Sequence, residues 1–161
     1  MFKSLNYFLL LVFLLNSHPV FAEPPKFLTL PLRSEAVIGN GWDYNGNDGR
    51  HCAIDYFVEK TTAVIAAADG YAMKDFQEID GYGYGNLVII KHEKKNEKGE
   101  NYFSLYAHLD RVVDRIPKKS RYNAKQGIDV EELGWEPIHR GDLIGWSGDS
   151  GGQSWEHLHF A

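Results

Sequence analysis

Apolar and polar positions alternate in short runs along most of the chain. His51 to Val58, Ala63 to Ala68, Tyr71 to Phe76, Asn86 to His92, Tyr102 to His108, Asp142 to Ser147 and His157 to Phe160 each have strand length. Asn86 to His92 (NLVIIKH) is the strongest, with three β-branched residues in succession. Between the runs stand turn formers: Asp69-Gly70, the segment Asp80 to Gly85 (DGYGYG), and the charged connection Glu93 to Asn101 (EKKNEKGEN). That connection predicts an antiparallel return of the next strand. Gly39 to Gly49 (GNGWDYNGNDG) reads as a turn-rich loop. A helical period shows only weakly, around Val112 to Tyr122. The pattern predicts a single all-β or β-rich domain built from hairpins.

Three segments stand outside this pattern. Residues 1–22 carry Lys3, then eight consecutive apolar residues from Phe8 to Leu15, then Val20-Phe21-Ala22. This order predicts a secretory signal peptide cleaved after Ala22. The apolar run is shorter than the ~20 residues of a spanning helix, so no stable membrane anchor is expected after cleavage. Residues 23–35 hold three prolines and read as an extended lead-in. Arg115 to Arg140 is polar, contains Pro117 and Pro137, and reads as a long insertion.

Composition narrows the function. The chain has 161 residues, 43% hydrophobic and 24% charged, and a formal charge of −5 from 17 basic and 22 acidic side chains. No basic stripe offsets that charge, so a nucleic-acid partner is not expected. The lone cysteine, Cys52, excludes an intramolecular disulfide and cysteine-rich zinc sites. Strand parity turns it away from its neighbour His51, as a buried or half-buried thiol.

Six histidines follow the signal segment, and they carry the candidate chemistry. On one strand His51 and Asp55 would share a face, a nitrogen and a carboxylate suited to zinc. His157 and His159 also share a face, so parity alone leaves open which one would bind a metal. In Leu105-Tyr106-Ala107-His108-Leu109, period-two alternation sends Tyr106 and His108 to one side. His92 reads as a strand-end residue and His139 as a solvent-facing one. Trp42, Tyr44, Tyr82 and Tyr84 flank glycine loops, where they would serve packing or a groove rim equally well.

His51…Asp55, then Leu105 to Leu109, then His157-Leu158-His159-Phe160 resembles the lysostaphin/LytM-type zinc metallopeptidases. Ala68-Asp69-Gly70, Gly83-Tyr84-Gly85-Asn86 and His139-Arg140-Gly141-Asp142 through Gly148 are similar to that family's turns, and the match runs from about residue 36 to 161. The resemblance implies an antiparallel sheet lining a narrow groove, of the duplicated-hybrid-motif type. It implies one zinc per chain, held by His51, Asp55 and His159, with His108 and His157 as the catalytic pair. Tyr106 would help position water or the oxyanion. Three protein ligands leave a position for water, as in a catalytic zinc site. The implied activity is endopeptidase cleavage of peptidoglycan stem peptides or cross-bridges, by an exported monomer in the periplasm or at the cell wall. The alternative is a catalytically silent member that binds cell wall or activates an amidase.

Three departures from the family pattern stand out. Ala53 replaces a customary glycine, and Trp155-Glu156 replaces a small residue and proline. The chain also stops two residues after His159, so the last strands are expected to be missing.

Overall fold

The computed structural model describes residues 26–42, 44–46, 49–118 and 134–161. The expected signal peptide and the middle of the expected insertion lie outside the described residues. Among the described residues the protein is all-β, and no helix is long and apolar enough to cross a membrane.

The strands are β1 (Val37–Asn40), β2 (Tyr44–Gly46), β3 (Gly49–His51), β4 (Ile54–Phe57), β5 (Ala63–Ile65) and β6 (Gly70–Ile79). They continue with β7 (Tyr82–Lys95), β8 (Asn101–Val112), β9 (Glu136–Ile138), β10 (Leu143–Ser147) and β11 (Leu158–Phe160). Nine strands form one sheet in the order β1-β4-β11-β8-β7-β6-β9, with β10 joining β8 to β5, and all its strand pairings are antiparallel. The long hairpin β6-β7-β8 is its backbone. Strands β2 and β3 form a separate ribbon.

The core lies on one side of this sheet. Val64, Val88, Ile90, Tyr106, Leu109, Ile138, Ile144 and Leu158 pack together there. Each aliphatic side chain buried in this way contributes about 1.5–3 kcal/mol. A chain of polar groups crosses the core without an unmet donor. The Ala67 amide donates to the Tyr106 hydroxyl at 2.8 Å, which lies 3.2 Å from the Ser104 hydroxyl. Ser104 pairs with His92 Nε2 at 2.9 Å, and His92 Nδ1 donates to the Asp69 carbonyl at 2.8 Å. His92 is therefore a buried strand residue and holds the turn at Asp69.

Strand β11, at the end of the chain, is an interior strand between β4 and β8. Ala161 and Leu105 exchange two backbone hydrogen bonds, so even the final residue is paired.

The described ends of the stretch read as an insertion hold β9, which extends the sheet beside β6, and Ile116, which is fully buried. One expectation needs correction. Cys52 is exposed, because the chain breaks between β3 and β4 at Cys52-Ala53 instead of running as one strand.

Candidate metal centre

The register brings distant residues into one row on the face opposite the core. Asn40 on β1 pairs with Asp55 on β4, Asp55 with His159 on β11, and His159 with Ala107 on β8. Side chains directly opposite one another in an antiparallel sheet share a face. Asn40 Nδ2 donates to Asp55 Oδ2 at 2.9 Å, and in the metal-free protein His159 Nδ1 donates to Asp55 Oδ1 at 2.9 Å, a proton this nitrogen gives up in order to hold a metal. His51 enters from β3, its Nδ1 held by the Gly41 carbonyl at 3.1 Å.

That bond places the His51 proton on Nδ1 and leaves Nε2 bare. His51 Nε2 lies 3.2 Å from Asp55 Oδ1 and 3.3 Å from His159 Nδ1. Two nitrogens and an oxygen thus stand at the corners of a triangle with edges of 2.9, 3.2 and 3.3 Å. A tetrahedral zinc with bonds of about 2.0–2.1 Å separates its donors by about 3.3 Å. Among the described residues this is the group of His, Cys, Asp and Glu able to hold a metal ion. Burial opposes the charge on Asp55, but the hydrogen bonds from His159 and Asn40 more than offset it and hold its pKa at about 2. Its carboxylate is ionised and ready to ligate.

His157 and His108 stand beside the triangle. His157 is buried, with Nδ1 donating to the Trp155 carbonyl at 3.1 Å and Nε2 3.9 Å from Asp55 Oδ1. His108 donates Nδ1 to the Ser150 carbonyl at 3.0 Å, and its ring lies 4.6 Å from that of His157. Burial, then the neighbouring His157, pushes the His108 pKa down to about 4. Burial lowers that of His157 as well. Both imidazoles are neutral near pH 7, with the proton on Nδ1 and a lone pair on Nε2.

His108 reaches this face through an irregularity. Its φ is +59°, in the left-handed region. Between the pairs Asn86↔Leu109 and Val88↔Tyr106, β8 spans one residue more than β7. This bulge reverses the parity of the strand. Tyr106 and His108 therefore do not share a face, contrary to expectation. Tyr106 stays in the core, its ring 5.1 Å from Phe160 and its hydroxyl bound to Ala67 and Ser104. The structure does not bring it to the histidine cluster.

Ser150 ties the bulge down. Its hydroxyl accepts from the Asn86 amide at 2.9 Å and donates to the Leu109 carbonyl at 2.8 Å, while its carbonyl holds His108. The loop carrying it lies against β7 so closely that a Cβ on Gly85 or Gly151 would overlap backbone. A groove of about 550 Å³ opens here, lined by Tyr82, Gly83, Tyr84, His108 and residues Gly152 to Ser154. Trp42, Tyr82 and Tyr84 are exposed, and the Tyr84 ring lies tilted at 54° with its centroid 5.5 Å from that of His159. His139 is exposed and remote from the cluster.

Asn40, Gly41 and Ser150 escaped the sequence reading. Their roles rest on sheet register and backbone carbonyls, which leave no spacing signature.

Residues 49–161 match Peptidase family M23. The chain belongs to that family. It is 36% identical over 91 residues to the murein hydrolase activator NlpD of Escherichia coli, covering 56% of this chain and 21% of that protein. It is 33% identical over 110 residues to the DD-carboxypeptidase/endopeptidase Mpg of Neisseria gonorrhoeae, covering 68% and 19%. The chain thus spans about a fifth of the length of these curated relatives. The fold is that of the catalytic domain of the antimicrobial peptidase lysostaphin from Staphylococcus simulans. The TM-score is 0.53 at 23% identity, over 78% of this chain and 77% of that one.

Proposed function

We propose that this M23 peptidase is an exported zinc endopeptidase that hydrolyses peptide cross-links of peptidoglycan. The observation that carries the reading is the triangle of His51 Nε2, Asp55 Oδ1 and His159 Nδ1, with two neutral imidazoles at its side. The edges of the triangle and its donor set fit zinc. A zinc ion bound there would supply Lewis acidity, which makes water acidic enough to attack at neutral pH and polarises a peptide carbonyl.

The chain's own residues do the rest. His157, with Nε2 turned toward the cluster, takes a proton from the attacking water at that nitrogen and returns it to the departing amine. His108 Nε2 takes up a proton from solvent as negative charge develops on the carbonyl oxygen, and donates a hydrogen bond to it. The Ser150 and Trp155 carbonyls keep both rings in the tautomer these roles require. The groove beside His108 accepts the extended peptide, with Tyr82 and Tyr84 along its wall. Tyr106 has no part in this scheme. The apolar run in residues 8–15 supports export, and peptidoglycan lies where it would deliver the protein.

The similarity to an activator of murein hydrolases favours a second reading, a silent domain that stimulates a separate amidase. The intact cluster speaks for the enzyme. Zinc-loaded protein is incubated with peptidoglycan of defined cross-link type, and new termini are identified by mass spectrometry. New amino and carboxyl ends at one peptide bond are expected. Unchanged peptidoglycan, with stimulation of an added amidase, would establish the second reading.

A further inference from the structure

The rings at the site form a continuous series. Centroids are 6.4 Å apart from Tyr84 to His108, 4.6 Å from His108 to His157, 4.2 Å from His157 to Trp155, and 4.6 Å from Trp155 to Phe57. The proposed chemistry uses the imidazoles and the groove uses Tyr84. Trp155 and Phe57 remain without a role.

Neither belongs to the core, and both are more than a third exposed. Yet their placement is specific. The Trp155 indole lies nearly parallel to the His157 ring, at 29°, and Phe57 meets the indole edge-on at 85°. Phe57 fits because its neighbour on β1, Gly39, has no side chain; a Cβ there would overlap the phenyl ring. Trp155 thus touches His157 twice. Its carbonyl fixes which nitrogen carries the proton, but one hydrogen bond leaves the imidazole free to rock about it. The stacked indole removes that freedom by holding the ring plane.

We infer that Trp155, buttressed by Phe57, is a positioning residue that holds the His157 imidazole with Nε2 on the His51–Asp55–His159 side. This rests on the reading of His157 as the proton-transfer group. Misplacing a reacting group by about an ångström costs up to roughly a hundred-fold in rate, and a constraint on ring orientation acts on the turnover step rather than on substrate binding.

The test compares zinc-loaded wild type with Trp155→Ala, Trp155→Phe and Phe57→Ala. kcat and KM are measured on cross-linked peptidoglycan fragments, zinc per chain is counted, and the His157 ring protons are followed by NMR. Trp155→Ala should lower kcat roughly ten- to a hundred-fold with KM unchanged and zinc retained. The upfield ring-current shift of His157 should vanish. Trp155→Phe should restore most of kcat, and Phe57→Ala should lower it in the same sense by less. Unchanged kcat in Trp155→Ala, a rise in KM alone, loss of zinc, or no rescue by phenylalanine would each overturn the inference. If Trp155→Ala fails to fold, Phe57→Ala decides it by the same criteria. Should the wild type cut nothing, the peptidase reading falls separately. The positioning role is then decided by NMR, one His157 ring orientation in the wild type against several in Trp155→Ala supporting it and identical spectra overturning it.

Discussion

His157 and His159 are two residues apart on one face, and the structure sets them at different distances from Asp55. His159 Nδ1 lies 2.9 Å from Asp55 Oδ1 and 3.3 Å from His51 Nε2, which makes it a corner of the donor triangle. The bond between His157 and Trp155 uses Nδ1, and its Nε2 stands 3.9 Å from the carboxylate, beyond hydrogen-bond reach. At the proposed zinc site, replacing His159 with alanine removes a ligand and replacing His157 removes none. Structural zinc sites with four ligands bind with about 10–16 kcal/mol, so one donor accounts for about 2.5–4 kcal/mol. His159→Ala should therefore weaken zinc binding by roughly a hundred- to a thousand-fold. His157→Ala neither removes nor orients a ligand, and its effect should stay under about tenfold, the low end for groups outside the ligand set. The protein is stripped with a chelator and titrated with zinc against a chromophoric competitor, and metal content is checked by elemental analysis. Loss of zinc in His157→Ala with retention in His159→Ala would refute the division. Retention in both would remove the triangle as the metal site.

Three further outcomes follow from the same geometry. Asn40→Ala frees Asp55 Oδ2 and should weaken zinc binding by about 10–100-fold, read in the same titration. Tyr106→Phe leaves the buried Ala67 amide without its acceptor and should cost about 1–3 kcal/mol of stability in a denaturant melt. Its kcat should be unchanged, and a large loss of kcat in fully folded protein would return the tyrosine to the reaction. In the metal-free protein the folded-state pKa of His108 lies below its ordinary value, so the unfolded chain binds more protons between about pH 6.5 and 4. Stability should fall as pH drops through that window, and fall less in His108→Gln; a melting temperature equally pH-sensitive in both proteins would contradict this.

The strands that could be read in the sequence were those whose alternation reflects one buried face. β7 and β8 showed themselves through Leu87 to Ile90 and Leu105 to Leu109. β1 (VIGN) and β9 (EPI) did not, because each is short, lies at an edge of the sheet and takes its conformation from a partner. β2 and β3 lie inside a glycine- and asparagine-rich stretch that composition marks as a loop. The proposed ligand set entered through resemblance to a family; the structure brings Asp55 and His159 together by register and His51 to them from the separate ribbon. The parity argument for His51 and Asp55 does not account for their meeting, since they sit on different strands. For Tyr106 and His108 it failed outright. Nothing in Tyr-Ala-His-Leu-Asp announces a bulge, because no glycine marks the left-handed residue and the strain is imposed by contacts distant in sequence.

That bulge bears on the choice between enzyme and silent binder. A histidine held at φ +59° costs about 1–3 kcal/mol relative to extended backbone. The fold gathers several contacts to hold it. Asn86 Nδ2 donates to the Leu109 and Asp110 carbonyls at 3.0 and 3.3 Å, the Ser150 hydroxyl donates to the Leu109 carbonyl, and the Ser150 carbonyl accepts a hydrogen bond from His108 Nδ1. Gly85, itself at φ +61°, admits the loop that brings Ser150 in. A strand without the bulge would turn residue 108 to the side of Tyr106, keep its ladder bonds and avoid the strain. The bulge keeps Leu109 on the core face with Tyr106, where regular alternation would turn it outward. It also sets an imidazole beside His157 and 5.5 Å from the His159 ring. Binding a cell-wall polymer in the groove needs no such group, whereas stabilising charge on a peptide oxygen uses an imidazole that can take up a proton there. The imidazole that the bulge places beside His157 is thus a structural feature that weighs toward hydrolysis.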